Sequence, residues 1–278
     1  VYDLWLESKK NSIHITESHY KRNVISMNRL IDVLKKDFSI QDTTEKDIEA
    51  FETYYSDRHT KAGININLRA IKTFLKWCFD NRYIDRVPKI IIKVPKQEPK
   101  YIREEWFVKI MHLDIEEHWK KVFQLYASTG ARKREVFDGY IDGSFLIVPA
   151  DKSKTKIDRI IKLDAFQKSV VKEMQSKFNN HIENGFKAFT FIDRYNKIFV
   201  KCLKKIGVYK KGLSLHSLRH TFAIIRYLQT RDIYQVRNEM GHTSVSTTEI
   251  YSNMNIHLIL EHFPSFKGVG GYKSGDKR

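Results

Sequence analysis

The chain has 278 residues, 41% hydrophobic and 30% charged, which is enough apolar material for a buried core and more length than one ordinary domain needs. Its 50 Lys and Arg against 33 Asp and Glu leave a formal charge of +17, and clustered cations of this kind suit a polyanionic partner, because they displace counterions from a phosphate backbone. No apolar run approaches the ~20 residues of a membrane-spanning helix, no signal-peptide pattern opens the chain, and two isolated cysteines, Cys78 and Cys202, exclude a disulfide framework and a cysteine zinc module and favour a reducing compartment. The start at Val1 rather than Met is expected of a fragment or a trimmed chain.

The first third reads as helical. Tyr20, Val24, Met27, Ile31 and Leu34 recur at spacings of three and four, as one face of a helix does. Thr44 and Asp47 form a capping-box pattern ahead of Ile48, Phe51 and Tyr55, so a helix opens there. Ile64, Leu68, Ile71, Leu75 and Cys78 make a further apolar stripe, with Lys61, Arg69, Lys72 and Lys76 on the opposite face. Those four are either a solvated helix surface or a face presented to DNA. Residues 1–86 are thus expected to form an all-helical domain. The stretch RVPKIIIKVPKQEPK holds Pro88, Pro95 and Pro99, three of five prolines in the chain. Proline lacks the amide donor and pushes its predecessor to extended geometry, so 87–100 is expected to be an extended linker. Its lysines, Lys93 and Lys96 among them, could follow a phosphate backbone.

Beyond the linker, 103–113 and 117–129 are expected to be helices. Phe145–Val148 and Arg159–Leu163 are short β-rich runs joined by a polar connection, as in an antiparallel hairpin. From Leu163 the pattern is helical again, to about residue 266. The last twelve residues, 267–278, hold four of the twelve glycines and are expected to be a flexible tail. The fold class is therefore mainly α with a small antiparallel β-sheet: a helical N-terminal domain and an α+β domain over 101–266.

Four segments carry candidate chemistry. In LHSLRHTF, His216 and Arg219 share a helix face with His220 beside them; alone this is an ordinary polar face, and a zinc reading of His216 and His220 lacks both the glutamate and a third ligand. In MGHTSVSTTEIY, Gly241 suits a helix C-cap and Tyr251 closes the segment. In STGARKRE, Gly130 ends one helix, and a new helix carrying Arg132 in its first turn is expected, with Glu135 three residues on. An arginine so placed reaches a phosphate at a helix N-terminus. The hairpin connection gathers Lys152, Lys154, Lys156 and Arg159 around Asp158, either as a solvated tip or as a probe into a groove.

The order and spacing of these segments resemble the tyrosine recombinases, the phage-type integrases. STGAR resembles their STGLR box, LHSLRHTFA their HxLRHTFA box, and MGHTSVSTTEIY their LGH-to-Tyr box. The match runs from about Ser128 to Tyr251, and the preceding helical domain fits their core-binding, SAM-like domain. The resemblance implies that Tyr251 attacks a scissile phosphate, giving a 3′-phosphotyrosyl link and a 5′-hydroxyl. His216 assists its deprotonation, Arg132 and Arg219 clamp the non-bridging oxygens, His242 donates a further hydrogen bond, and Glu135 supports the first arginine. Lys154 aligns best with the lysine that protonates the leaving oxygen, with Lys152 and Lys156 as rivals; Arg159 is grouped with the hairpin cations that touch DNA. Neither a metal nor another cofactor is needed.

The resemblance also implies a double-stranded DNA site and a homo-tetramer on two duplexes, the protein being a possible monomer without DNA. The expected location is cytoplasmic and nucleoid-associated, with no membrane partner. The apolar segment Asn255–Phe266 either packs on its own domain or docks on a neighbour. Ala131 and Met240 replace usual leucines, and the short stretch from Glu135 to Ser144 leaves the first strand of the sheet in doubt. Integration or excision of a mobile element is the expected role; the alternatives are a type IB topoisomerase or a catalytically inactive DNA-binding relative.

Overall fold

The computed structural model describes residues 1–12, 15–35, 39–92, 98–153 and 156–267. Lys93, Lys96, Lys154 and the tail from 268 onward lie outside them. The chain divides into two compact units, Val1–Gln97 and Glu98–Arg278.

The first unit is built on α1 (Tyr2–Lys10), α2 (Glu17–Leu34), α3 (Glu45–Ser56) and α4 (Lys61–Asp80). Three threonines open three of these helices. Thr16 and Thr60 accept the backbone N–H groups of His19 and Gly63, and Thr44 with Asp47 completes the expected capping box. Each such cap satisfies amides that a helix start would otherwise leave without partners. The α4 stripe is buried as read from the sequence, Ile71, Leu75 and Cys78 completely. On α2 the buried line is Asn23, Ser26, Met27 and Leu30, so only Met27 of the expected five lies at its centre. Two polar residues displaced the apolar pattern there, because α2 is joined to α4 partly by hydrogen bonds. Asn67 of α4 accepts from Ser26 Oγ at 3.0 Å and donates to the Gly63 carbonyl at 2.9 Å.

The segment after α4 is not a free linker from residue 87. Ile84 and Ile90 are buried in the first unit's core, with Val87 and Ile92 against it. Glu45 at the start of α3 accepts both Arg86 Nη atoms, at 3.1 and 3.0 Å, and the Lys89 amide at 3.1 Å. Ile90 and Ile92 therefore pack while Ile91 between them stays exposed, and the unit extends past the expected boundary.

The second unit contains α5 (Glu104–Met111), α6 (Glu117–Thr129), α7 (Glu135–Asp138), β1 (Tyr140–Asp142), β2 (Phe145–Val148), β3 (Arg159–Lys162), α8 (Ala165–Glu183), α9 (Ala188–Lys205), α10 (His216–Thr230), α11 (Ile233–Met240), α12 (Glu249–Ser252) and α13 (Ile256–His262). The sheet has the order β1-β2-β3, antiparallel throughout, with Leu146 opposite Ile161 and Val148 opposite Arg159. The doubtful first strand is present, in the short stretch before Ser144. On β3 the outer face is exposed at Ile160 and Lys162, while Arg159 and Ile161 point inward, as the two-residue period of a strand requires.

One core joins α6, α8, α9 and the inner face of the sheet through Phe123, Tyr126, Val148, Val171, Phe199 and Leu218. A second forms around α10 from Phe222, Ile224, Leu228, Tyr251, Ile259, Leu260 and Phe263. The C-terminal helix α13 therefore packs on its own domain. Tyr101 Oη lies 2.6 Å from His262 Nδ1, and Glu104 accepts the Ser265 amide at 3.1 Å.

Candidate active site

Two helix ends frame the site. Gly130 ends α6 and Gly241 ends α11, both left-handed at φ +60°, a conformation that costs glycine little. Each also permits a close approach. A Cβ on Gly130 would fall 2.4 Å from the Phe222 ring, and one on Gly241 would fall 2.8 Å from Arg159 Cδ. The carbonyls freed at these ends turn toward three arginines. Arg219, from the first turn of α10, donates to the Gly130 and Met240 carbonyls. Arg159 donates to Gly130 at 3.3 Å and to Glu239 at 3.1 Å. Arg132 donates to Gly241 at 3.2 Å.

Glu135 is the carboxylate these arginines share. It pairs with Arg132 Nη1 at 2.6 Å and with Arg159 Nη1, and accepts the Arg132 amide at 2.7 Å. It is 5% exposed. Burial works to raise its pKa, but the charge of Arg159 and the bonds from Arg132 outweigh that and hold the carboxyl below its usual range. Burial, and then repulsion from Arg159 and Arg132, lowers Arg219 to about 9. Burial likewise lowers Arg159 to about 10, against the pull of Glu135. Three guanidinium groups around one carboxylate leave an uncompensated positive charge, and that arrangement favours a further anion.

The histidines and the tyrosine stand beside this nest. His242 follows Gly241, and its Nδ1 is 2.9 Å from Thr248 Oγ1, so Nε2 is the nitrogen that can address a substrate. Tyr251 on α12 is 3% exposed, and its hydroxyl lies 2.8 Å from His220 Nδ1. The His216 ring meets His220 edge-on at 5.1 Å between centroids. Burial raises the Tyr251 phenol to about 12, although Arg219 pulls the other way. Burial lowers His220 to about 4, helped by His216 and Arg219, and lowers His242 to about 4, helped by the three arginines and His220. Both rings are therefore neutral at neutral pH.

Arg132, Glu135, Arg219, His242 and Tyr251 thus converge as expected, with His216 at the exposed start of α10. Arg132 differs in its setting: it lies in the turn between α6 and α7, and the new helix begins only at Glu135. Arg159 requires a correction. It is 5% exposed and holds Glu135 from behind, so it is not one of the hairpin cations available to DNA. The alternation Arg159, Ile161, Leu163 already placed it on the core side of its strand. Lys152 and Lys156 are exposed. On α4, Lys61, Arg69, Lys72 and Lys76 are exposed too, with Lys76 paired to Asp80 at 3.3 Å. His220 and Thr248 carry no role in the motif boxes, although the spacing of His220 from His216 puts it on the same helix face; the Thr248 contact depends on the loop after α11. Among the described residues, no group of three or more His, Cys, Asp or Glu could hold a metal ion, and no helix is long and apolar enough to cross a membrane.

A mainly helical unit with a three-stranded antiparallel sheet, an arginine nest and a buried tyrosine defines a tyrosine recombinase. Residues 91–257 match the Phage integrase family, and the chain belongs to that family. It is 27% identical over 239 residues to tyrosine recombinase XerD of Chlamydia trachomatis, covering 77% of this chain and 78% of that protein. It is also 27% identical to tyrosine recombinase XerA of Pyrococcus horikoshii, over 72% of each. The fold is similar to a lambda integrase dimer bound to a core site (TM-score 0.69, 15% identity, covering 99% of this chain and 97% of that one). It is also similar to the Tn1549 transposon integrase in complex with circular intermediate DNA (TM-score 0.66, 16% identity, 92% and 95%).

Proposed function

We propose that this site-specific recombinase cleaves and rejoins duplex DNA through Tyr251, and that it serves the integration or excision of a mobile element. The observation that carries the reading is the nest of Arg132, Arg159 and Arg219 on Glu135, with its surplus positive charge next to a buried phenol. A scissile phosphate seated there meets forked donors that are charged at neutral pH and whose geometry suits phosphate. Arg132 and Arg219 take its non-bridging oxygens, and His242 donates through Nε2. As Tyr251 Oη bonds to phosphorus, the bond to the 5′-oxygen breaks. The charge that builds on the pentavalent phosphorus is stabilised by donors already fixed in place by Glu135 and the helix-end carbonyls. A lysine of the β2–β3 hairpin, Lys154 by alignment, protonates the leaving 5′-oxygen. The phosphotyrosyl ester keeps the phosphodiester's bond energy, so rejoining is the same step in reverse.

The exposed cations on α4 and at the hairpin, Lys61, Arg69, Lys72, Lys76, Lys152 and Lys156, hold the duplex backbone, and Lys93 and Lys96 join them. The protein acts as a tetramer on two DNA duplexes in the nucleoid; a lambda integrase tetramer bound to a Holliday junction, similar in fold at 16% identity and TM-score 0.67, supports that arrangement.

The test uses nicked suicide duplexes tiled from the DNA flanking the gene, incubated with wild type and with Tyr251→Phe. Wild type is expected to give a covalent protein–DNA adduct on a denaturing gel, and Tyr251→Phe none. An adduct that persists in Tyr251→Phe would assign the nucleophile elsewhere. Binding without any adduct would make the chain a DNA-binding relative that has lost its chemistry.

A further inference from the structure

Tyr251 cannot hand its proton to bulk water in this structure. Its side chain is packed into the apolar cluster of Phe222, Ile224, Leu228 and Ile259, and its hydroxyl touches an imidazole nitrogen, His220 Nδ1 at 2.8 Å. The other candidate groups are committed elsewhere. Arg219 is held by two carbonyls, the His242 Nδ1 is held by Thr248, and His216 sits at the exposed end of α10, in contact with the His220 ring.

We propose that His220, rather than His216, is the group that takes the phenolic proton when Tyr251 attacks the phosphate. The inference rests on the recombinase reading and adds a catalytic residue to it. The ring acts as the tautomer with its proton on Nε2, leaving the Nδ1 lone pair for the hydroxyl. As the Oη–P bond forms and the P–O5′ bond breaks, the phenolic proton moves to Nδ1, and the 5′-oxygen takes a proton from the hairpin lysine. In rejoining, the 5′-hydroxyl gives its proton back to that lysine as it attacks, and the His220 imidazolium returns its own to the departing phenolate. Every atom and charge is restored.

The surroundings make this base conditional on DNA. His220 is faced by His216 and Arg219 on its own helix, by Tyr251 on α12 and by His242 beyond α11. Without substrate, burial and the nearby positive charge keep its basicity low, and Tyr251 stays neutral. A phosphate dianion or diester seated on Arg132 and Arg219 brings negative charge into this field, which favours the imidazolium. The nucleophile is therefore activated by the group it is to attack and stays inactive when the site is empty.

Two measurements test this. In the free protein labelled with 15N-histidine, the His220 signals are identified by their loss in His220→Gln. Nδ1 is expected to be unprotonated and to shift in Tyr251→Phe; a proton on Nδ1 would make the ring a donor to the phenol and overturn the proposal. In single-turnover cleavage of whichever nicked flanking duplex yields the wild-type adduct, His220→Ala and His220→Gln are expected to slow adduct formation by ~10²–10⁴-fold, the usual span for a lost general base, with DNA affinity unchanged. Free imidazole should restore His220→Ala and leave His220→Gln slow, because Gln can hold the hydroxyl but cannot take its proton. His216→Gln should be slowed less than His220→Gln. Undiminished cleavage by His220→Gln, or the reverse order of the two variants, rejects His220 while leaving the recombinase reading intact. A wild type that forms no adduct on any flanking duplex rejects both.

Discussion

Both units join their helices with buried polar side chains, but the two sets differ in charge. In the first unit Asn67, itself neutral, bridges α2 and α4, accepting from Ser26 Oγ and from Arg29 Nη1 at 3.3 Å and giving an amide proton to the Gly63 carbonyl, with no carboxylate in the set. Its interactions end within the unit, and the result is a helix register. In the second unit Arg132 and Arg159 pair with Glu135, and all three arginines, Arg219 included, donate to four helix-end carbonyls, which leaves positive charge unbalanced and the buried Arg159 Nε without a partner. A buried network that leaves charge unbalanced is costly for the fold alone. It makes sense as a preorganised anion site.

The largest effect is expected at Glu135. Glu135→Gln keeps the shape but removes the one carboxylate that the nest shares. A loss of ~3–5 kcal/mol is expected, as for one partner taken from a buried ion pair, and chemical denaturation would measure it. A loss under about 1 kcal/mol, the range of a surface pair, would mean that the arginines need no counter-charge.

Acid acts on the second unit's histidines. The folded pKa values of His220 and His242 lie near 4, below the ordinary value near 6.5 for an unfolded chain. Between these values the unfolded state binds more protons, so stability is full above pH ~6.5 and falls as pH drops toward ~4. The loss is expected to reach about 3 kcal/mol for His220 and less for the more solvated His242. Glu135, whose pKa is also depressed, adds to the loss at the acid end. A pH series of denaturation curves in wild type and His220→Gln separates the His220 share.

Asn67→Ala is expected to cost ~1–3 kcal/mol, from the lost bridge and the hydroxyl left behind. The cleavage rate of the bound complex should not change. A changed rate would show that α2–α4 register matters to chemistry in the other unit.

The smallest effect should come from simple anions. Sulfate at about ten times its dissociation constant is expected to stabilise wild type by ~1.4 kcal/mol through mass action. Arg132→Ala should respond less, and Asn67→Ala should respond as wild type does. Equal responses in all three would place the sulfate effect outside the nest.

Much of this protein was legible in the sequence, because the rules involved are local. The Thr44–Asp47 box, the α4 stripe and the hairpin strands arise from spacing along a few residues. The three motif boxes placed Arg132, Glu135, Arg219, His242 and Tyr251 at one site, since their order and separations resemble one family. Only the tertiary structure decided what depends on distant segments meeting. Arg159 looked like a hairpin cation until its strand turned it inward onto Glu135. Residues 87–92 looked like linker until Ile90 found a core and Glu45 held Arg86 and Lys89. His220 looked like an unremarkable neighbour of His216 until α12 brought the Tyr251 hydroxyl, 31 residues further along the chain, to its Nδ1. Burial, charge neutralisation and proton transfer are properties of a neighbourhood, and the chain acquires its neighbourhoods only on folding.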